Sequence, residues 1–139
     1  MSARRLLSLA AVAAVLLGGT ARAEEAPEDQ AQKAAEAWLK TVDAGQYAQS
    51  WVAAADVFKS AVTKEQWQQA VGAARGPLGA LVSRTLKSRQ LTHTLPGVPD
   101  GLYVVLQYDT VFKNKAAVET ITPSRDDKGA WRVAGYFVK

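Results

Sequence analysis

The sequence has no cysteine and only one histidine among its 139 residues. Without cysteine, neither a disulfide scaffold nor a thiolate metal site is possible. No group of residues has the spacing of a metal site, or of a nucleophile paired with a base. The sequence therefore offers no catalytic residue and no metal ligand, and we expect no cofactor.

The chain also lacks a large excess of positive charge once its N-terminal segment is set aside. The chain has 17 Lys and Arg residues against 13 Asp and Glu. Three of the arginines, Arg4, Arg5 and Arg22, lie in an N-terminal segment that we expect to be removed. The remaining 14 basic residues against 13 acidic ones leave a net charge of +1. Such a balance gives no electrostatic argument for a nucleic-acid partner.

Residues 1–23 have the three-part layout of a secretory signal peptide. Two consecutive arginines begin it, an apolar run spans Leu6–Leu17, and Ala21-Arg22-Ala23 is a small-x-small cleavage site. The apolar run is shorter than the ~20 residues that a membrane span needs. We expect cleavage before Glu24, a periplasmic or secreted mature protein, and no membrane span afterwards. Both the general secretory and the twin-arginine routes stay open.

Residues 24–139 are predicted to form a single α+β domain, because helical periodicity comes first and strand patterns follow. Apolar residues recur at helical spacing in three stretches, which are Ala31–Val42, Tyr47–Phe58 and Thr63–Ala74. Thr63 and Gln66 have the spacing of a capping box at the start of the third helix. The three helices carry Trp38, Trp51 and Trp67, and each helix needs a sheet to cover.

Four strands are predicted to form an antiparallel sheet beneath the helices. The longest strand signal is Asp100–Phe112, which we place in the centre of the sheet. Alternation directs Val104, Leu106, Tyr108, Thr110 and Phe112 towards the helices and Asp109 away from them. The other predicted strands are Ser83–Thr94 at an edge, Ala116–Thr122 stopped by Pro123, and Trp131–Val138 interrupted at Gly135. A hairpin loop, Arg125–Gly129, separates the last two.

Few side chains are candidates for chemistry. His93 lies on a polar strand and is read as a surface residue rather than a base. Asp109 could act as a general base in an apolar pocket, but alternation points it away from that pocket. Asp126 and Asp127 fit a solvated hairpin better than a metal site, since no third ligand has suitable spacing. A cavity larger than a few waters lined by Asp56, Asp109 or His93 would favour an enzyme.

A short basic group, Arg84, Lys87 and Arg89, lies on the edge strand. We interpret it as a solvated edge that discourages strand-to-strand association. The alternative is a patch for an anion or an acidic partner. Simple alternation places Arg84 on the opposite face from Lys87 and Arg89, which weakens the patch interpretation.

Any pocket is expected between the helices and the sheet. A sheet with helices across it often leaves a cavity there. The side chains predicted to line such a cavity, if they are not simply core, are Trp51, Trp67, Leu106, Tyr108 and Tyr136.

Several segments together resemble a bacterial family of secreted proteins called domain of unknown function 4019. They are Ala37-Trp38-Leu39, Val42-Asp43-Ala44-Gly45-Gln46-Tyr47, Ser50-Trp51, Leu95-Pro96-Gly97, Pro99-Asp100-Gly101 and Trp131-Arg132-Val133-Ala134-Gly135-Tyr136. The resemblance covers nearly the whole mature chain. It implies the cone-like fold of nuclear transport factor 2-like or cystatin-like proteins, with three helices on a curved four-stranded sheet. It brings no functional residues with it.

Two functions remain open at this point. The favoured one is a non-enzymatic module that binds a small apolar ligand or a periplasmic protein; a homodimer is left open. The alternative is a small isomerase-like or dehydratase-like enzyme, as some members of the implied fold are. That enzyme would need an inward-pointing acid near Tyr108 or Tyr136. Tryptophans that fill the space between helices and sheet would argue against both a small ligand and an enzyme, leaving a surface interaction.

Overall fold

The computed structural model describes Gly19 and residues 24–139. The predicted signal peptide, apart from Gly19, lies outside the described residues. Four α-helices come first, α1 (Pro27–Asp43), α2 (Tyr47–Val52), α3 (Asp56–Ala61) and α4 (Lys64–Arg75), followed by a short 3-10 helix at Gly76–Leu78. Four strands follow, β1 (Leu81–Thr92), β2 (Tyr103–Phe112), β3 (Ala116–Arg125) and β4 (Trp131–Val138). The α+β class is confirmed.

The four strands form one open antiparallel sheet in the order β1-β2-β3-β4. The predicted central position of β2 is therefore confirmed, with β3 as the other interior strand. The helices pack on one face of this sheet. Within the described residues, no helix has both the length and the apolar character to cross a membrane.

The predicted alternation along β2 is confirmed. Val104, Leu106, Tyr108, Thr110 and Phe112 are all buried towards the helices. The intervening Asp109 is exposed on the opposite face. The apolar face of β2 therefore forms part of the surface against which the helices pack.

The predicted second helix is interrupted, which is a difference from the expectation of three helices. It forms α2 and α3, separated at residues 53–55. The backbone N–H of Ala55 donates to the carbonyl oxygen of Val133 on β4 at 2.8 Å, and Ala55 has an extended conformation. A hydrogen bond to the sheet edge thus replaces one that would have continued the helix.

The predicted capping box is present at the start of α4. The Thr63 hydroxyl accepts from the backbone N–H of Gln66 at 3.1 Å, and the Gln66 side chain accepts from the backbone N–H of Thr63 at 2.9 Å. Two backbone donors at the helix end are thereby satisfied.

Thr63→Ala is expected to lower the free energy of unfolding by about 1 kcal/mol, because the Gln66 backbone N–H loses its acceptor. Urea unfolding followed by circular dichroism measures this change. Thr63→Ser is the matched control, since its hydroxyl can still accept the bond. Equal midpoints for the alanine variant and the wild type would show that the cap contributes nothing.

The strand register shifts at three places, Leu81/Ser83, Leu86/Ser88 and Thr122/Pro123, and the last two change which of the predicted residues share a face. Leu86 pairs with Tyr108 but Ser88 pairs with Gln107, so Lys87 is an extra residue in β1. Arg89 therefore lies on the helix-facing side with Arg84, and the prediction of opposite faces is wrong. A bulge of this kind is invisible to simple alternation.

Strand β3 continues past Pro123, contrary to the prediction that proline would stop it. Pro123 lies at the last of these shifts, where the register with β4 changes between Thr122 and Pro123. The shift accommodates a residue that has no backbone N–H for the ladder. The extra residue on β4 is Ala134, next to the glycine that predicted a bulge, and Tyr136 consequently pairs with Ile121.

Candidate functional site

The space between the helices and the sheet is filled by aromatic rings. Trp38 and Trp67 are buried, and their ring centroids lie 5.8 Å apart. Phe58 packs edge-on against Trp67 at 4.8 Å, and Tyr136 lies 5.5 Å from Trp38. Such tilted and edge-to-face contacts add to the stabilisation from burial.

The polar edges of these rings are satisfied by protein atoms. Ser50 is fully buried, and its hydroxyl accepts from Trp67 Nε1 at 2.9 Å while donating to the carbonyl oxygen of Tyr47 at 2.6 Å. The carbonyl oxygen of Ser50 accepts from Trp38 Nε1 at 2.8 Å. One residue of the short helix α2 therefore fixes two tryptophans, which makes this part of the interior a specific packing arrangement.

The five predicted lining residues have different environments. Trp67, Leu106 and Tyr108 are buried in the core, and Trp51 and Tyr136 pack against it half-buried. Trp51 Nε1 donates to the carbonyl oxygen of Val62 at 2.9 Å. Trp67 and Tyr136 border a hollow of about 210 Å³ between α4 and β4.

A buried ion network lies next to the aromatic core in the helix–sheet interface, and Tyr136 contacts both. Asp43, at the end of α1, accepts from Arg75 Nη2 at 2.8 Å and from Arg84 Nη1 at 2.9 Å. Arg84 Nε also donates to Glu119 Oε1 at 2.7 Å, and Arg75 Nη1 lies 3.9 Å from Glu119 Oε2. Two arginines thus face two carboxylates. The network joins α1, α4, β1 and β3 with no net charge, which is the condition for burying ions.

Glu119 is the inward-pointing acid that the sequence analysis did not find. Its side chain is 0% exposed. Oε1 accepts from Arg84 and from the Thr110 hydroxyl at 2.6 Å, and Oε2 accepts from Arg84 Nη2 at 3.2 Å and from the Tyr136 hydroxyl. Both oxygens therefore have two donors each, which accounts for the lone-pair positions of a carboxylate.

The network shifts the acidity of its members. Burial disfavours the charged form of Asp43, but hydrogen bonds from Arg84 and Arg75 outweigh that effect and hold its pKa below the usual 3.8. Burial raises the pKa of the Tyr136 hydroxyl, and the adjacent Glu119 carboxylate raises it further. The first shift favours a charged Asp43 carboxylate and the second a neutral Tyr136 hydroxyl near neutral pH.

Arg84 corrects the prediction of a solvated basic edge. Its guanidinium bridges Asp43 and Glu119 rather than facing water. Lys87 is exposed, as predicted, and Arg89 forms an ion pair with Asp29 on α1 at 2.6 Å. The signal in the sequence was the shared face of Arg84 and Leu86, which alternation directs towards the core.

A polar hollow of about 690 Å³ opens at the end of the sheet near the β1–β2 and β3–β4 connections. His93, Asp100, Asp126 and Asp127 are among its lining residues. Asp126 Oδ1 accepts from the backbone N–H groups of Lys128 and Ala130, so it closes the hairpin as predicted. In the part of the chain that the structure describes, no three His, Cys, Asp or Glu side chains converge to hold a metal ion.

The outer sheet face is the side of the sheet away from the helices. Register and alternation place on it Thr85 and Ser88 from β1, Val105, Gln107, Asp109 and Val111 from β2, Val118, Thr120 and Thr122 from β3, and Phe137 from β4. Lys139 extends β4 through backbone hydrogen bonds with Val118, and its Nζ lies 5.5 Å from the centroid of the Phe137 ring. Phe137 is 52% exposed and Val111 is 44% exposed.

Register places three charged side chains on the outer sheet face, Asp109, Lys139 and, at the hairpin end opposite Ser124, Arg132. Asp109 and Lys139 are the charged members of the rows just described, and they border one shallow hollow of about 450 Å³ whose floor includes Val118. Within residues 24–139 neither of them belongs to an ion pair. Antiparallel sheets with a solvated face usually alternate apolar and polar residues more strictly than this.

Comparison with known proteins identifies the family. A family model described as protein of unknown function (DUF4019) matches residues 34–136. The chain belongs to the DUF4019 family. In this DUF4019 protein the matched segment includes the aromatic core, the buried ion network and most of the outer sheet face. The expectation of a DUF4019 domain is thereby confirmed, whereas the cone-like relationship stays a prediction. No curated protein and no solved structure matches the chain.

Proposed function

We propose that the protein is a non-enzymatic, exported interaction module that binds another protein through the outer sheet face. The observation that carries this proposal is the contrast between the two faces of the sheet. One face is covered by helices, aromatic rings and a neutral ion network, and the other is uncovered, weakly charged and partly apolar.

The filled interior supports a surface interaction over a small-ligand site. Trp38, Phe58, Trp67 and Tyr136 occupy the volume that a ligand would need. Two hollows border these rings, one of about 210 Å³ beside Trp67 and Tyr136 and one of about 350 Å³ beside Trp38 and Trp131, and both lie below or near the lower end of the about 300–1,000 Å³ usual for drug-sized ligands. A small ligand would have to displace side chains that already satisfy one another.

The environment of Glu119 supports a non-catalytic role over the enzyme alternative. A general base needs a free lone pair within reach of the substrate. Both Glu119 oxygens are occupied by Arg84, Thr110 and Tyr136. A substrate could reach this carboxylate only by breaking the network that holds the helices to the sheet.

The composition of the outer sheet face supports a protein partner. Interface cores are depleted of charged residues and enriched in aromatic ones. Phe137 and Val111 expose apolar surface here, Gln107 and Thr120 are uncharged polar members of the Phe137 row, and the row between Phe137 and Val111 contains Asp109, Val118 and Lys139.

Export is part of the proposal, and its support is the signal-peptide layout of residues 1–23. Protein recovered from the periplasm or medium of a bacterial host is expected to have an intact mass that starts at Glu24. Recovered protein whose mass still includes Met1–Ala23 would contradict the proposed cleavage.

The contact surface is tested by photo-crosslinking in the exporting host. A photoreactive amino acid replaces Gln107 on the outer sheet face, and in the control it replaces Gln68, which is exposed on α4. We expect a discrete protein–protein crosslink from position 107 and little from position 68. No crosslink from either position, or equal crosslinking from both, would contradict a role for the outer sheet face.

A further inference from the structure

The geometry points to a second copy of this chain as the occupant of the outer sheet face, and this inference rests on the proposed function. The two copies lie face to face around a two-fold axis that runs roughly along β3 at Val118. In this arrangement Asp109 of each protomer meets Lys139 of the partner subunit.

The argument begins with one row of the sheet. Asp109 pairs with Val118, and Val118 pairs with Lys139 through two backbone hydrogen bonds of 2.9 and 3.0 Å. Adjacent strands lie about 4.8 Å apart, so the acid and the base stand roughly 10 Å from each other on opposite sides of Val118. That separation leaves each charge without a partner in its own protomer.

A two-fold axis along β3 exchanges the two sides of this row. Rotation about it places an Asp109 over a Lys139 twice, so that both unpaired charges of both copies are satisfied. An axis along the row would instead place like charges over each other, which is unfavourable in an interface. The positions of Asp109 and Lys139 therefore select one orientation of the pair.

The next rows fit the same axis. Thr120 lies between Gln107 on β2 and Phe137 on β4, so the rotation sets Gln107 against the partner's Phe137. The next row contains Thr122 on β3 and Gly135 on β4. The rotation sets Gly135, which has no side chain, opposite Val105 of the other copy. Packed sheets normally lie about 10 Å apart, a distance that side chains of this size can fill.

The size of the surface sets the expected strength. The rotation superposes only the three strands β2–β4, because β1 has no strand opposite it; three strands at about 4.8 Å and roughly six residues at about 3.4 Å give a shared face of about 14 by 20 Å. Such a face lies below the roughly 800 Å² per partner of a standard interface. We therefore expect a weak, concentration-dependent dimer with a dissociation constant in the micromolar range.

Sedimentation equilibrium of the mature protein over a wide concentration range tests this inference. Asp109→Lys and Lys139→Asp are each expected to raise the dissociation constant about tenfold or more, since each change reverses two symmetry-related contacts. The double variant, Asp109→Lys with Lys139→Asp, is expected to restore dimerisation close to the wild-type value. Circular dichroism of each variant verifies that the sheet is intact.

The outcomes separate this inference from the proposed function. A wild-type protein that stays monomeric at every concentration, or single variants that dimerise as well as the wild type, would overturn the second copy. A double variant that fails to regain dimerisation would overturn the proposed axis. A crosslink from position 107 to a different protein would overturn the second copy while leaving the interaction module in place.

Discussion

Glu119→Gln is expected to lower the free energy of unfolding by about 3–5 kcal/mol. The substitution keeps the shape of the side chain but removes one of the two negative charges that face Arg75 and Arg84. It also replaces an acceptor oxygen by an amide group where several donors converge. A buried ion that loses its partner keeps its desolvation penalty without the compensating attraction. Urea unfolding of the purified variant measures the loss.

Two comparisons make this prediction specific. Glu65→Gln removes an exposed acid in the first turn of α4 and should lower the free energy of unfolding by less than about 1 kcal/mol. The double variant Glu119→Gln with Arg84→Gln should lose less free energy of unfolding than the sum of the two single variants, because residues in contact are energetically coupled. A Glu119→Gln protein as stable as the Glu65→Gln control would show that the network does not hold the helices to the sheet.

Trp67→Ala is expected to cost about 3–5 kcal/mol, because it removes a large buried side chain from the centre of the aromatic core. Trp67 is 6% exposed and contacts Trp38, Phe58 and Tyr136. Its loss also leaves the Ser50 hydroxyl without the donor that it accepts from. The same urea experiment measures the effect, with Gln68→Ala on the exposed side of α4 as the control.

Trp67→Phe separates packing from hydrogen bonding at this position. It keeps an aromatic ring but removes the indole N–H, so it should cost less than the alanine variant. If Trp67 instead lined a ligand pocket, Trp67→Ala would fold with nearly unchanged stability and would lose a bound small molecule. That pattern would favour the small-ligand alternative over packing.

The parts of this fold that depend on short-range patterns could be predicted from the sequence. The capping box needs only Thr63 and Gln66 at the right spacing, and both bonds form. The alternation along β2 needs only apolar residues at every second position, and the helices cover that face. The outward direction of Asp109 followed from the same count and is confirmed. Local patterns of this kind carry their own structural information.

The parts that depend on long-range contacts could not be predicted in the same way. The break between α2 and α3 follows from a hydrogen bond between Ala55 and Val133, which are distant in sequence. The faces of Arg89 and Tyr136 follow from extra residues in β1 and β4, which shift the alternation by one position. Such bulges depend on the partner strand rather than on the sequence around them.

The ion network was missed for a related reason. The polar sequence neighbours of Arg84 predict a solvated edge, whereas its partners Asp43 and Glu119 are distant in the chain. One signal was available: Glu119 and Ile121 share a face of a strand, which places an acid beside a core residue. A charged residue at a core position predicts a buried partner. Applying that rule would have identified Glu119, though not the arginines that pair with it.

Native mass spectrometry of the mature protein, isolated directly from its host without refolding, tests the central claim most directly. The claim is that the interior is closed and that the outer sheet face makes the contacts. We predict the mass of the chain from Glu24 with no bound small molecule, together with a dimer whose share grows with concentration and falls in the Asp109→Lys variant. A stoichiometric small-molecule adduct that persists in this variant would contradict the account.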